Sequence, residues 1–191
     1  MHRVARSLLP LVALFTLATC AVAQERAVPT TVVVIVRHAE KAAEPAADPP
    51  LTAVGVERAR ALAALLADAK VSVVMHTPTT RTRETARPVA EQFGLSPIVL
   101  PLGPSEIHPA AVAEAIRQYP GRTIVVVGHS NTIMRYIEAL GGPLRPNLCD
   151  HQYDGLYTLI LDGTSVRLVE ARYGPPNPPR TAPCATMTPG P

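Results

Sequence analysis

The sequence predicts an α/β protein, a three-layer αβα sandwich with a mostly parallel sheet and an antiparallel C-terminal hairpin strand. Residues 31–36 and 123–127 are continuous runs rich in β-branched residues, which is typical of strands buried on both faces of a parallel sheet. Segments with apolar residues at helical spacing separate the strands, and this alternation predicts helices on both faces of one sheet. Asp162-Gly163 lies between the last two strand-like runs and indicates a tight hairpin.

Local signals mark the ends of the predicted elements. Thr52 is a suitable N-cap for the first helix, and Gly94 ends the second. Pro120-Gly121 ends the third helix. We expect strands at residues 31–36, 71–75, 98–100, 123–127, 156–161 and 165–170, and helices after Thr52, at 80–93, at 109–118 and around Ile133, Ile137 and Leu140.

Residues 1–23 have the features of a secretory signal peptide. Arg3 and Arg6 precede a short apolar run, and Ala21-Val22-Ala23 supplies the small residues of a cleavage site. Because the apolar run is too short to span a bilayer comfortably, we expect a periplasmic or secreted protein with no stable membrane insertion after cleavage. A noncleaved anchor and a lipoprotein attached through Cys20 are minor alternatives.

The rest of the chain is predicted to be one domain followed by a tail. Residues 24–172 are enough for a single domain with its own core. Residues 173–191 are rich in proline, which predicts an extended, mobile segment. Cys149 and Cys184 remain after cleavage, and they either form a disulfide that pins the tail to the domain or stay free thiols.

The charge balance does not indicate a nucleic-acid partner. Lys and Arg number 18 against 15 Asp and Glu, which gives a net charge of +3. Cleavage after residue 23 removes two arginines and no acid, so the net charge falls to +1. The remaining charges are interspersed and form no basic run. The sequence gives no indication of the oligomeric state.

Two histidines follow buried strands at the points where the strands end. Arg37 and His38 come after the first strand, and Gly128-His129 comes after the strand at 123–127. Ligands of open parallel sheets bind outside the carboxyl ends of the strands. We therefore expect His38 and His129 to converge on one site.

Four segments between the first strand and the hairpin form a joint pattern. They are Val36-Arg37-His38-Ala39-Glu40; Leu51-Thr52 with Gly55, Arg58, Ala59 and Leu62; Thr77-Pro78-Thr79-Thr80-Arg81 with Glu84-Thr85-Ala86; and Val126-Val127-Gly128-His129-Ser130-Asn131. In this order they resemble the motifs of the histidine phosphatase (phosphoglycerate mutase-like) superfamily, and the short length resembles its single-domain members. The third segment departs from the family pattern, because threonine replaces serine and glutamate replaces glutamine.

The resemblance implies that His38 is a nucleophile that is transiently phosphorylated, with no metal or cofactor required. It also implies that Arg37, Arg81 and His129 surround the transferred phosphoryl group, and Asn131 is a further candidate for binding phosphate or substrate. These residue types suit the chemistry, because phosphoryl transfer mainly needs positioning and charge stabilisation. The planar guanidinium of arginine matches phosphate geometry, and neutral imidazole is a competent nucleophile.

A general acid is expected to protonate the leaving alkoxide. Glu106 is the candidate, because many family members take this proton from an acid after the third strand and no other acid lies between Glu91 and Glu114. Its surroundings do not match the better-known family motif, and a structural role at the start of the next helix is an equal alternative. Asp154 is a second candidate, although its position favours a structural role at the hairpin.

These observations predict an exported phosphatase that hydrolyses phosphate monoesters, with a small-molecule or cell-envelope phosphate ester as substrate. One alternative is a catalytically weak or inactive member that binds a phosphate ligand. Another is a phosphotransferase of the phosphoglycerate mutase type. A metallohydrolase with His38 and His129 as ligands is disfavoured, because adjacent arginines would repel a cation.

Overall fold

The computed structural model describes residues 29–103, 108–180 and 184, and these form a six-stranded sheet covered by helices. The strands are β1 (Thr31–Arg37), β2 (Val71–His76), β3 (Ile98–Val99), β4 (Thr123–Gly128), β5 (Gly155–Asp162) and β6 (Ser165–Arg172). The helices are α1 (Ala53–Leu65), α2 (Thr80–Phe93), α3 (His108–Arg117) and α4 (Ile133–Ala139). Each lies where the sequence predicts it, with ends that differ by a residue or two.

The strand order is β3-β2-β4-β1-β5-β6. The first four strands in this order are mutually parallel, whereas β5 pairs antiparallel with β1 and β6 pairs antiparallel with β5. The sheet is therefore mostly parallel with an antiparallel C-terminal strand pair, which confirms the predicted fold class. Because β1 and β4 are parallel neighbours in the middle of the sheet, their carboxyl ends lie side by side.

Two apolar cores lie on opposite faces of the sheet, because successive residues of each central strand point to opposite faces. In β1, Val33 and Ile35 face one core while Val34 and Val36 face the other. Helices α3 and α4 supply Val112, Ile116, Ile133 and Ile137 to the first core, and α1 and α2 supply Leu62, Leu66, Ala86 and Val89 to the second.

Local chemistry explains where α1 begins and where α2 ends. The Thr52 hydroxyl accepts a hydrogen bond from the Gly55 amide at 3.1 Å, so Thr52 caps α1 as predicted. Gly94 ends α2 in the left-handed conformation, at φ 63°. Among the described residues, no helix is both long and apolar enough to cross a membrane.

The described part of the tail is more closely held than the sequence predicts. Residues 173–180 contain no helix or strand, yet Tyr173 is buried and its amide donates to the Asp154 carbonyl at 2.9 Å. Cys149 and Cys184 form a disulfide, which decides between the two predicted states of these cysteines. The expected signal peptide at residues 1–23, including Cys20, lies outside the described residues, as does most of the tail beyond residue 180.

Candidate active site

The two predicted histidines meet at the carboxyl edge of the sheet. Arg37 pairs with Gly128 across β1 and β4, so the residue after each strand lies at the same level. The His38 amide donates to the Gly128 carbonyl at 2.9 Å, and the rings of His38 and His129 lie 5.4 Å apart between centroids. Strand register thus produces the convergence that the sequence predicts.

The turn between β2 and α2 brings a third group of side chains to this edge. The His129 Nε2 atom lies 2.8 Å from the Thr77 hydroxyl, and its Nδ1 atom lies 3.5 Å from Nη2 of Arg81. Since arginine only donates hydrogen bonds, Nδ1 accepts from Arg81 and the Nε2–H group donates to Thr77. The Thr77 hydroxyl then donates to Thr82 at 3.1 Å, so the bonds are consistently oriented.

His38 is arranged as a neutral imidazole with one nitrogen free. Its Nδ1 atom lies 2.7 Å from the Ala39 carbonyl, which only accepts, so the Nδ1–H group donates and Nε2 keeps its lone pair. The pKa of His38 is lowered to about 3, mainly by burial. The hydrogen bond to Ala39 opposes this effect, whereas the nearby Arg37 and His129 add to it. The ring is therefore unprotonated at neutral pH, as a nucleophile requires.

His129 is also neutral at neutral pH. Burial lowers its pKa to about 4, and the positive charges of Arg81 and Arg37 lower it further. The positive charge beside His38 therefore comes from the two arginines. A bound phosphate dianion would oppose these effects and raise the pKa of His129.

Both predicted arginines keep an unpaired donor inside the site. Arg37 is 3% exposed, and its Nη1 atom donates to the carbonyls of Cys149, Asp150 and Gln152 at 3.0, 2.9 and 3.0 Å. Nη1 of Arg81 lies 3.7 Å from Oδ1 of the exposed Asp48. The Nε atoms of Arg37 and Arg81 are buried without a hydrogen-bond partner in the described part of the chain. Since buried donors are normally satisfied, the two Nε–H groups indicate an anion-binding position.

These groups open into a cavity of about 630 Å³. Besides the two histidines and the two arginines, Lys41, Asn131 and Arg135 line it. Asp150 is the only carboxylate among the described residues of the lining. The cavity is thus predominantly positive and large enough for a phosphate ester with a substantial leaving group. The structure places Asn131 in this lining, and its role in binding stays a prediction.

A buried ion pair holds the loop that follows His38. Arg58 is 0% exposed, and its Nη2 atom lies 2.6 Å from Oε1 of Glu40. The Arg58 Nη1 atom donates to the Tyr173 carbonyl at 2.8 Å, which also ties the loop to the tail. A Cβ atom on Gly55 would lie only 2.3 Å from the Glu40 carbonyl oxygen, so α1 can approach this loop only with glycine at that position.

Of the two candidate general acids, Asp154 lies among the described residues and Glu106 does not. Glu106 lies outside the described residues, although Gly103 and His108 on either side of that gap both line the cavity. Asp154 does not line the cavity; its carboxylate accepts from Arg172 at 2.8 Å and from Asn177 at 2.8 Å. Asp154 thus has the structural role at the hairpin that its sequence position favours.

Sequence reasoning missed the groups that surround Arg37. The ring of Tyr153 lies under the Arg37 guanidinium, with 4.0 Å from Cζ to the ring centroid. Neither Tyr153 nor the carbonyls at 149, 150 and 152 belong to a recognised motif, and backbone carbonyls leave no signal in a sequence. The Thr77 hydroxyl was available from the third family-like segment, but Thr77-Pro78 is also an ordinary turn signal.

The side chains at this edge suit an anion better than a metal ion. Among the described residues, no group of three or more His, Cys, Asp or Glu side chains could hold a metal ion. The first contacts of His38 and His129 are instead arginine, threonine and backbone groups. This set of partners fits an anion, not a divalent cation.

Comparisons with known proteins agree with this geometry. The model of the histidine phosphatase superfamily (branch 1) matches residues 33–102, which include His38 and Arg81. The structure is similar to the mycobacterial glucosyl-3-phosphoglycerate phosphatase Rv2419c, at 16% identity and a TM-score of 0.57 over 76% of this chain and 99% of that one. No curated protein matches the sequence significantly.

Two further solved structures share the fold at low identity. The protein histidine phosphatase SixA, solved with tungstate, has 21% identity and a TM-score of 0.58, covering 74% of this chain and 96% of that one. The phosphoglycerate mutase of Bacillus anthracis has 15% identity and a TM-score of 0.56, covering 75% and 93%. The family model thus matches less than half of this chain, over the segment that contains His38 and Arg81, and the solved structures show that the chain has the fold that they share.

Proposed function

We propose that this protein is an exported phosphatase that hydrolyses phosphate monoesters through a phosphohistidine intermediate on His38. One observation carries the proposal: a neutral, buried His38 lies beside two arginines whose buried Nε–H groups have no partner among the described residues. A phosphoryl group between Arg37 and Arg81 would satisfy both donors. It would also bring phosphorus within reach of the free Nε2 of His38.

The first chemical step transfers the phosphoryl group to His38. The Nε2 lone pair forms an N–P bond while the bond from phosphorus to the ester oxygen breaks, and the electron pair of that bond leaves with the oxygen. Arg37 and Arg81 stabilise the charge on the equatorial oxygens. The carbonyl of Ala39 accepts from Nδ1–H and so stabilises the positive charge that develops on the ring.

The leaving oxygen must gain a proton as it departs, and we propose Glu106 as the donor. Its two flanking described residues, Gly103 and His108, line the cavity. In the sequence, Glu106 lies three residues after Gly103 and two residues before His108. Good leaving groups such as nitrophenolate need little protonation, so the acid matters mainly for alkyl esters.

Hydrolysis of the intermediate completes the cycle. Water attacks phosphorus, the N–P bond breaks and its electron pair returns to His38 Nε2. The carboxylate of Glu106, which gave up its proton in the first step, takes a proton from the water. We propose that His129, once its pKa is raised by the bound anion, donates to a phosphoryl oxygen in both steps. Asn131 supplies a further polar contact from the cavity lining.

We also propose that the protein is exported and acts on a small-molecule or cell-envelope phosphate ester. The signal-like residues 1–23 support export, and the Cys149–Cys184 disulfide is in keeping with an oxidising compartment. An exported phosphatase meets small-molecule and cell-envelope phosphate esters. The structural relatives are named for quite different substrates, a glucosyl phosphoglycerate, a phosphohistidine protein and a phosphoglycerate, so their names do not select one for this chain.

A phosphotransferase of the mutase type is the second candidate, because the fold is shared with a phosphoglycerate mutase. Both reactions pass through phosphohistidine, but they differ in the acceptor. A phosphatase releases orthophosphate in stoichiometric amount with the alcohol. A mutase returns the phosphoryl group to a substrate hydroxyl, so orthophosphate release would lag far behind isomer formation.

The test is turnover of a panel of phosphate monoesters by purified protein, with His38→Ala alongside. We expect orthophosphate release by the wild type, inhibition by vanadate and no loss in EDTA. His38→Ala should release none above background. Activity that EDTA abolishes would overturn the phosphohistidine mechanism, and equal inertness of wild type and variant would favour a phosphate-binding protein without catalysis.

A further inference from the structure

The guanidinium of Arg37 is positioned by a short irregular segment, which we call the Arg37 cradle. It consists of the backbone carbonyls of Cys149, Asp150 and Gln152 and the ring of Tyr153. Nη1 carries two hydrogens and lies within 3.0 Å of three carbonyl oxygens. The cradle therefore fixes where the guanidinium lies and which way its Nε–H group points.

The cradle lies in a long connection between α4 and β5 that contains no regular element. Two bonds close the turn on itself: the Gln152 amide donates to the Cys149 carbonyl at 2.9 Å, and the Cys149 amide donates to the Gln152 side chain at 2.8 Å. One bond ties the segment to the catalytic edge, from the Leu148 amide to the Ser130 carbonyl at 3.0 Å. The same connection also packs Leu148 against the first apolar core and pairs Arg145 with Glu170 at 2.9 Å.

The C-terminal tail also restrains the Arg37 cradle. The Asn177 Oδ1 atom accepts from the amides of Tyr153 at 2.8 Å and Asp154 at 3.1 Å. The disulfide joins Cys149 to Cys184. The tail thus holds the cradle at both ends, through the disulfide at Cys149 and through Asn177 at Tyr153.

We propose that the Cys149–Cys184 disulfide is a positioning element for phosphate binding, which acts through Arg37 and makes oxyanion affinity depend on the oxidation state of the protein. This inference rests on the proposed function, since it takes the Arg37 Nε–H group as a phosphate donor. With the disulfide closed, the three carbonyls hold that donor in place before substrate arrives. Binding then needs no ordering of the guanidinium, and such preorganisation favours affinity.

Opening the disulfide would release Cys149 from the tail. A dithiol reductant supplies two electrons and two protons, the S–S bond breaks to give two thiols, and the reductant becomes a disulfide. The Cys149 carbonyl can then move away from Arg37, and the guanidinium must pay its own ordering cost on binding. The fold would persist, because the two apolar cores do not include either cysteine.

The experiment measures orthophosphate binding to the full chain by calorimetry, in a double-mutant cycle. All variants carry Cys20→Ser, so that Cys149 has no alternative partner. Adding Cys184→Ser should raise the orthophosphate Kd about tenfold, which is comparable to losing much of one charge-assisted hydrogen bond. Reduction of the parent should give the same rise, and reoxidation should reverse it in the parent but not in Cys184→Ser.

The Arg37→Ala background separates positioning from a general structural role. If the disulfide acts through Arg37, Cys184→Ser should leave the Kd of Arg37→Ala unchanged, because the donor it positions has gone. An equal rise in both backgrounds would overturn the inference and leave the disulfide as a purely structural link. Unfolding curves of all four variants should remain cooperative.

The possible outcomes also separate this inference from the proposed function. A parent that binds orthophosphate equally well when oxidised and reduced would refute the positioning role alone. A parent that does not bind orthophosphate in either state would refute both, because no oxyanion site would exist.

Discussion

Arg81 offers the most direct perturbation of the anion-binding position. The structure places it in the first turn of α2, with Nη2 at 3.5 Å from Nδ1 of His129. Its Nε atom is buried and has no hydrogen-bond partner among the residues that the structure describes. Arg81→Ala removes one of the two guanidinium groups that face the reacting phosphoryl group. It leaves α2 and the sheet untouched.

The expected loss follows from the donors that disappear. A hydrogen bond to a charged group contributes about 1.5–3 kcal/mol, so the loss of one or two such bonds in the transition state amounts to about 2–4 kcal/mol. At about 1.4 kcal/mol per factor of ten, kcat/KM should fall by about 30-fold to 1,000-fold. The ion pair with Asp48 adds little to stability, because the Asp48 side chain is 47% exposed, so the variant should fold normally.

The assay is kcat/KM for nitrophenyl phosphate at neutral pH. Arg81→Lys should recover part of the loss, because lysine keeps the charge but not the planar fork. Arg87→Ala is the matched control: Arg87 lies on the same helix, is 61% exposed and pairs only with Glu91 at 3.9 Å among the described residues. The reasoning fails if Arg81→Ala keeps wild-type kcat/KM, or if Arg87→Ala loses as much.

The remaining predictions concern acid stability, the buried ion pair and the proton donor. Burial lowers the pKa of His38 to about 3 and that of His129 to about 4, both below the ordinary value of 6.5. As the pH falls below 6.5, the unfolded chain therefore binds more protons than the folded chain does. The free energy of unfolding should therefore fall with decreasing pH, by up to about 1.4 kcal/mol per pH unit for each histidine, and urea melts of His129→Gln should show a smaller slope than wild type; an unchanged slope would contradict the lowered pKa of His129. Glu40→Gln should cost about 3–5 kcal/mol in the same assay, because it leaves the fully buried Arg58 without its counter-charge, whereas Glu57→Gln at an exposed position of α1 should cost almost nothing. Similar losses for the two variants would show that the buried pair contributes little. Glu106→Gln should lower kcat much more for alkyl phosphates than for nitrophenyl phosphate, and equal losses would exclude Glu106 as the proton donor.

Much of the catalytic edge could be predicted because it depends on short, local signals. The β-branched runs at residues 31–36 and 123–127 identify the central strands. A parallel arrangement then requires the residues that follow them, His38 and His129, to lie at one edge. Helix α2 begins and ends where its spacing and Gly94 predict.

The surroundings of Arg37 could not be predicted in the same way. Its partners are backbone carbonyls and Tyr153, in a connection without hydrophobic periodicity. The pairing of Cys149 with Cys184 depends on a distance between the tail and that connection, which no local pattern encodes. The proline-rich composition of the tail correctly excludes regular structure over residues 173–180 but does not reveal that side chains such as Asn177 fasten it to the domain.

The same limit applies to the protonation state of the site. The sequence identifies the histidines, but their low pKa values arise from burial beside Arg37 and Arg81, which is a property of the folded arrangement. The structure thereby assigns the positive charge of the site to the arginines and leaves both histidines neutral.

The central claim is that His38 carries the phosphoryl group during turnover. The most direct measurement is mass spectrometry of peptides from protein quenched rapidly in alkali during turnover, a condition under which phosphohistidine survives. We predict a single phosphoryl group on the peptide that contains His38, lost on acid treatment and missing from His38→Ala. Sustained turnover by wild type with no label on that peptide, or a label on another residue that survives in His38→Ala, would contradict the account.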